Sequence, residues 1–344
     1  MAVTLHVDSA RWRDHQARTV AANPGLVPVV KGNGYGFGPD VLLAETVRLN
    51  GATGLDTIAV GTYAEAPRAL DAFPGDVLVM EPYRPVLHGE LDVLSSPSLV
   101  HTITYRPDLD DLAARTGRPR FVVEGLTSMN RHGVPADWMD QALAGLDHAD
   151  LLGLSLHLPL GEGHLQEVSR WVDRFAVPRW YVSHLSPAEQ AALRAAYPEV
   201  EVRPRIGTEL WLGDPGATAV RAHVLDVRQV ATGDRAGYRQ RRLHAGHLVV
   251  VSGGTSHGVA MESPSPASSW RQRAIVLAEG ALEASGRVRS PFRVGGRSAL
   301  FVEPPHMQVS LVALPEGVSP PEVGEEIDVR VRATTLSADA VVLE

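Results

Sequence analysis

Lys31 is the one lysine of this chain; the other 31 of its 32 basic residues are arginine. A guanidinium stays charged and makes no ordinary imine, whereas a lysine amine can be tuned to its neutral form and can form a Schiff base. A chain that uses arginine wherever plain positive charge suffices, yet keeps one lysine, marks that lysine for chemistry; a surface lysine kept by chance is the competing reading of the count. Its surroundings add to the argument. Leu26-Val27-Pro28-Val29-Val30 is a short apolar run that reads as a buried, parallel-type strand. It leads into Lys31-Gly32-Asn33-Gly34-Tyr35-Gly36-Phe37-Gly38, where four glycines let the backbone approach a ligand closely. Catalytic groups of α/β barrels stand at such strand ends. The turn matches neither G-x-x-x-x-G-K-[ST] nor a helix-opening G-x-G-x-x-G, so it is not a nucleotide-phosphate loop of either kind.

The elements that must position this lysine follow from length and pattern. A chain of 344 residues has room for one large α/β barrel or two domains, at roughly 100–200 residues per domain. Apolar residues make up 44% and charged residues 21%, which rules out disorder as a whole-chain description. Zero cysteines exclude disulfides, thiolate metal sites and cysteine nucleophiles, and no metal site is expected. The net charge of −8 gives no electrostatic reason to expect nucleic acid or an anionic membrane as partner. No apolar run reaches the roughly 18 residues needed to cross a bilayer. The opening Met1 to Asp8 lacks a basic region followed by a long apolar stretch, so a cytoplasmic location is expected.

Strand-like and helix-like stretches alternate through the first two thirds of the chain. Thr4 to Asp8 precedes a helical stretch from Ser9, a plausible N-cap, to Ala22. Ile58 to Thr62, Phe121 to Glu124 and Leu152 to His157 read as further strands. This spacing predicts βα units and a parallel sheet. After Gly213-Asp214-Pro215-Gly216 the pattern changes to short β-like runs at 224–230, 247–252, 292–294, 299–302 and 327–331, which predict a mainly antiparallel β domain. Ser263 to Ser269 is rich in Ser and Pro and reads as a loop.

Val29-Val30-Lys31-Gly32-Asn33-Gly34-Tyr35-Gly36-Phe37-Gly38 resembles the pyridoxal-phosphate lysine motif of the alanine racemase family, V-V-K-A-N-A-Y-G-H-G. More blocks resemble that family in its own order. Thr127-Ser128-Met129-Asn130-Arg131-His132-Gly133 is similar to T-G-M-x-R-x-G, and Leu152 to His157 to a strand ending in a histidine that stacks on the cofactor ring. Arg205-Ile206-Gly207-Thr208-Glu209-Leu210-Trp211 is similar to R-P-G-x-x-L-Y, and Gly233 to Tyr238 to G-x-x-V-x-Y. The resemblance implies an α/β fold, with a (β/α)8 TIM-type barrel over 9–215. It also implies a C-terminal, mainly antiparallel β domain over 216–344 that the strand in 1–8 joins.

The resemblance further implies pyridoxal 5′-phosphate as cofactor, with Lys31 as its Schiff-base lysine. Tyr35, backbone N–H groups at Gly207 and Thr208, and Ser186 would hold its phosphate, with Ser183 as the alternative serine. His157 would stack on the ring. Arg205 would face the ring nitrogen and disfavour its protonation; Arg203 competes for that role through its own register. Arg131 would hold the substrate carboxylate or the cofactor's phenolic oxygen, with Glu124 where relatives carry a lysine that is often a carbamate. The implied partners are a small-molecule substrate, an amino acid or an amino-acid-containing compound, and a second copy of the chain in a homodimer.

Two segments depart from the family. Gly254-Thr255-Ser256-His257-Gly258 stands where G-Y-x-D-G is expected, so Thr255 replaces the tyrosine that serves as the base on the second face of Cα. A threonine hydroxyl is a far poorer proton-transfer group than a phenol with a pKa of about 10. His257 is the titratable candidate to replace it, with His306 as the alternative. Pro304-Pro305-His306-Met307-Gln308 stands where M-D-Q is expected, which leaves His306 and Met307 as substrate-binding candidates. Three readings follow: a racemase or epimerase with a rebuilt second face, another pyridoxal enzyme with Lys31 as its sole base, or a module that binds the cofactor without turnover.

Overall fold

Strands buried on both faces read as nearly continuous apolar runs. Val27–Val30 is apolar throughout, while Thr57–Val60 and Leu99–Ile103 include Thr57, His101 and Thr102; every residue of the three strands is buried. In this computed structural model, which describes residues 3–161, 163–261, 270 and 288–344, the chain falls into two compact units. One is Arg13–Gly34 with Pro39–Gly213; the other is Met1–Trp12, Tyr35–Gly38 and Asp214–Glu344.

The elements run β1 (Val3–Val7), α1 (Ser9–Ala22), β2 (Val27–Val30), α2 (Pro39–Thr53), β3 (Thr57–Val60), α3 (Ala66–Ala72), β4 (Asp76–Pro82), α4 (Pro85–His88) and β5 (Leu99–Ile103). There follow α5 (Arg106–Thr116), β6 (Arg120–Gly125), α6 (Met139–Leu143), β7 (Asp150–Leu156), α7 (His164–Arg174), β8 (Arg179–Val182), α8 (Pro187–Ala196), β9 (Glu201–Ile206) and α9 (Thr208–Leu212). Strands β2 to β9 close into an eight-stranded parallel barrel, each pairing with the next and β2 with β9. Val27, Val29, Ala59, Leu78, Val100, Val122 and Tyr181 form one buried cluster. This is the α/β barrel that the resemblance implies.

One irregularity aims the site. Strand β7 carries a register shift against β6, with Phe121 opposite Leu151 but Val122 opposite Gly153. The extra residue reverses which side chains face inward. Leu152 packs against the buried cluster, yet Ser155, three residues on, reaches Glu124 at 3.2 Å. Only glycine fits at the shift: Gly153 has φ +156°, and a Cβ there would lie 2.4 Å from the Arg179 carbonyl oxygen.

The other unit adds β10 (Thr218–Val230), β11 (Arg235–Ala236), β12 (Arg241–Arg242), β13 (Gly246–Ser252), β14 (Arg289–Val294), β15 (Arg297–Phe301), β16 (Val309–Pro315), β17 (Glu326–Val329) and β18 (Ala340–Leu343). Its main sheet has the order β13-β16-β15-β14-β17-β10-β1-β18, with β13 also pairing β10. Every pairing is antiparallel except β1 with β18. Trp12 stacks on Phe37 here, with ring centroids 4.5 Å apart. The Ser- and Pro-rich stretch 263–269 lies outside the described residues. Among the described residues no helix is long and apolar enough to cross a membrane.

Gly153→Ala should therefore destabilise the chain by about 2 kcal/mol or more, because the backbone must move to admit the methyl group. A denaturant midpoint unchanged from wild type would show that the shift does not need glycine.

Candidate active site

Strand β2 ends at Val30, and Lys31 follows, two residues beyond Val29 of the buried cluster. The residue is exposed, yet its amine is held below the ordinary lysine value. Burial around the amine is the largest cause; the guanidiniums of Arg131 and Arg205 add to it, and Glu65 opposes it. A pocket lined by Val30, Leu43, Val60 and Glu65 lies beside Lys31.

The two arginines of β9 have separate roles. Arg203 donates from Nε to the Gly25 carbonyl at 2.9 Å and pairs with Asp56 and with Glu201. Gly25 and Asp56 precede β2 and β3, so Arg203 belongs to the end of the barrel where strands begin. Arg205 is directed to the opposite end. Its Nη2 donates to Leu156 O at 3.1 Å, and its Nη1 lies 3.9 Å from Glu124 Oε2. Its Nε is buried and has no hydrogen-bond acceptor among the described residues. Burial pushes this guanidinium down from its ordinary value; Glu124 opposes that and Arg131 reinforces it.

Glu124 is the buried carboxylate that gathers these cations. Arg131 Nη2 stands 3.7 Å from it, and His132 Nδ1 stands 3.1 Å away but outside hydrogen-bonding geometry. The loop that carries Arg131 is folded back on β6: Leu126 N–H donates to Val134 O and Val134 N–H to Glu124 O. Gly133 allows this approach, since a Cβ there would lie 2.5 Å from Leu126 N.

His157 follows β7. Its Nδ1 is 3.2 Å from Ser183 Oγ, and that hydroxyl also accepts the Leu158 N–H at 3.1 Å. Burial pushes the His157 imidazole down to about 3, with Arg205, Arg131, His184 and Lys31 adding to the effect. The His184 ring meets it edge-on, with centroids 5.5 Å apart, and is lowered as well, chiefly by burial and then by His164, Arg205 and Lys31. Ser186, the first choice for the phosphate serine, is the N-cap of α8 in a reciprocal capping box with Glu189. Gly207 and Thr208 stand where β9 passes into α9, a helix start whose first N–H groups lack intrahelical acceptors.

The remaining candidates lie in the β unit. Tyr35 is buried there, with φ +53°. The segments 254–258 and 304–308 are bound to each other: Thr255 N–H donates to His306 O and Ser256 N–H to Met307 O, both at 2.9 Å. A Cβ on Gly254 would lie 2.1 Å from His306 O. His257 is buried with both ring nitrogens engaged. Its Nδ1 accepts the Gly254 N–H at 3.2 Å, and its Nε2 lies 3.1 Å from Asp339 Oδ2. His306 pairs with Glu303 at 2.6 Å and packs against the Tyr238 ring, while Met307 is 72% exposed.

The candidates thus form two groups. Lys31, Arg131, His157 and Arg205 act on one another in the barrel unit; His257, His306 and Met307 share the β unit. The motifs do not single out His132, His184 or Glu65, although each contacts or perturbs the first group. Position alone could have flagged His132, next to Arg131, and Glu65, at the start of the helix after β3.

The sequence profile described as alanine racemase, N-terminal domain, matches residues 7–195. Several solved structures of alanine racemases share the fold. That of E. faecalis is 16% identical, with 99% of this chain and 98% of that one covered and a TM-score of 0.70. That of the D-cycloserine producer Streptomyces lavendulae is 18% identical, with 100% and 97% covered and a TM-score of 0.68. The biosynthetic alanine racemase of Pseudomonas aeruginosa is 19% identical, with 96% and 91% covered and a TM-score of 0.62. No curated protein sequence matches the chain.

An imidazole held at about 3 is neutral throughout the physiological range, so the NMR titration of the His157 ring should show its midpoint far below the unfolded value of about 6.5. Burial likewise holds His101 at about 4. The unfolded chain binds more protons at both sites between those values and about 6.5, so stability should fall as pH drops through that window. A His157 midpoint near 6.5 would overturn this view of the site.

Proposed function

Because the chain belongs to the alanine racemase family, whose N-terminal-domain profile spans residues 7–195, we propose that it is a pyridoxal-phosphate-dependent racemase or epimerase of an amino acid or an amino-acid-containing compound. The observation that carries the reading is Lys31, the single lysine, at a strand end where burial, with Arg131 and Arg205 adding to it, biases its amine toward the neutral, nucleophilic form.

The residues present fit the cofactor. The buried Nε of Arg205 lacks an acceptor among the described residues, and a pyridine nitrogen would supply one. A guanidinium at that atom disfavours ring protonation. The neutral His157 ring suits an aromatic face, and Arg131 suits a carboxylate or a phenolic oxygen. Lys31 would hold the cofactor. The N–H groups at Gly207 and Thr208 and the hydroxyl of Tyr35 would bind its phosphate. Ser183 bonds to His157 and Ser186 caps α8, so either hydroxyl would have to share its present partner. Pyridoxal phosphate supplies an electron sink for a carbanion at Cα. Lys31 would move the proton on one face of that carbon, and Arg131 would orient the substrate carboxylate.

The second face would fall to His257, with His306 and Met307 completing the substrate site in a homodimer. A second reading draws on the His257 ring, both of whose nitrogens are occupied. In that reading Lys31 alone moves protons, and the enzyme exchanges Cα–H without inverting the centre.

Cα deuterium exchange in D2O with chiral analysis, across a panel of L- and D-amino acids, separates these outcomes. Inversion by the wild-type chain, lost in His257→Ala while exchange persists, is the result expected for the two-base reading. Exchange with retained configuration in the wild type would favour Lys31 alone. Lys31→Ala should lower either rate by at least about 100-fold. Absence of exchange with every substrate would remove both readings.

A further inference from the structure

Glu65 sits at the N-cap of α3, where a carboxylate ordinarily accepts from the free N–H groups of its own helix. It makes no such side-chain bond. Its oxygens turn to the ends of two barrel strands. Oε1 accepts the Gly32 N–H at 2.6 Å, while Oε2 accepts the Gly61 N–H at 2.6 Å and the Thr62 N–H at 3.1 Å. Gly32 is the residue after Lys31, and Gly61 and Thr62 follow β3, the strand next to β2. One carboxylate therefore ties the backbone just after the lysine to the backbone just after β3, with two of its three charge-assisted bonds at 2.6 Å.

The packing at Gly61 shows how close this union is. A Cβ at that position would lie 3.1 Å from Lys31 Cβ and 3.0 Å from Glu65 Oε2. The end of β3 is thus packed closely against the lysine stem, and a Cβ there would require its neighbours to give by a few tenths of an ångström. We propose that Glu65 is the positioning residue of Lys31, a carboxylate clamp that joins the turn after β2 to the turn after β3 and fixes the lysine stem against Gly61. The clamp also has an electrostatic consequence. Burial, with Arg131 and Arg205 adding to it, pushes the amine toward neutrality and Glu65 pushes it back toward the ammonium; His157 and His184 are the other titratable groups that face it.

The proposal gives Glu65 its function through Lys31, and so rests on the proposed role of that lysine in holding the cofactor. The clamp itself is testable without cofactor. Because the chain has one lysine, reductive 13C-methylation labels Lys31 and the α-amine only, and the Lys31 amine can be titrated directly by NMR in the whole protein. Glu65→Gln keeps the shape but replaces one acceptor oxygen with a donor, leaving part of the N–H set unsatisfied and removing the charge. The expected result is a lower titration midpoint for Lys31 than in wild type. Pyridoxal phosphate should bind on the order of tenfold more weakly, the equivalent of one lost charged hydrogen bond. Glu65→Asp, which keeps the charge on a shorter arm, should restore the midpoint toward wild type while binding stays weakened. That split separates a clamp from a mere stabiliser of the fold, and the Asp variant still decides the matter if the Gln variant does not fold. Unchanged midpoint and binding in Glu65→Gln, or wild-type binding in Glu65→Asp, would overturn the proposal. Failure of the wild-type chain to bind pyridoxal phosphate would overturn the functional reading and leave the titration result for Glu65 standing.

Discussion

A guanidinium at the end of β9 has been taken almost wholly out of water and left half satisfied. Removing such a charge from water costs several kcal/mol unless partners replace the solvent. Arg205 has a carbonyl at 3.1 Å, a carboxylate at 3.9 Å, and an Nε without an acceptor among the described residues. The groups around it share the consequences. Burial is the larger cause that holds the His157 and His184 rings and the Lys31 amine toward neutrality, and the Arg205 charge adds to it in all three, while Arg131 brings a second cation. Such a cluster favours a guest that is anionic and rich in acceptors. Phosphate, a phenolic oxygen and a ring nitrogen are groups of that kind, which is why pyridoxal phosphate is the cofactor we propose.

Bringing these groups together depends on backbone more than on side chains. Gly153 reverses the inward parity of β7 and so places Ser155 beside Glu124. Gly133 lets the Arg131 loop fold against β6, and Gly61 lets β3 approach the lysine stem. Each lies where a Cβ would meet backbone or a functional side chain. The buried Glu124 then offsets part of the charge that the arginines bring.

Four of the barrel strands, β2, β3, β6 and β7, were legible as short apolar runs, and the closed eight-stranded barrel was legible through the resemblance that the Lys31 motif carries. The antiparallel character of the β unit could be read from its short runs. Strands β16 and β18 were harder to see: Val309–Pro315 is diluted by Ser310 and Ala313, and Ala340–Leu343 is brief and lies parallel to β1. In the candidate site, sequence spacing separated Arg205 from Arg203 only by motif register. The structure separates them physically, since Arg203 is consumed by Gly25, Asp56 and Glu201. The Ser186 cap was legible as the competing reading of that hydroxyl, since Ser186 and Glu189 lie three residues apart at the start of α8; the contact of His257 with Asp339 was not, because it depends on residues brought in by folding. Glu65 escaped for the same reason. A glutamate before a helix reads as a cap, and nothing in the sequence reveals that it bonds instead to the turn after Lys31, 33 residues away.

The central claim is that this solitary lysine takes an aldehyde cofactor, and attachment at that residue is what must be measured. Purified chain is incubated with pyridoxal phosphate and reduced with borohydride, and the added mass is mapped to a peptide by mass spectrometry. The account expects one phosphopyridoxyl group, on Lys31, and a visible absorbance that reduction bleaches. A chain that stays colourless, or that is labelled only at its α-amine, would contradict it.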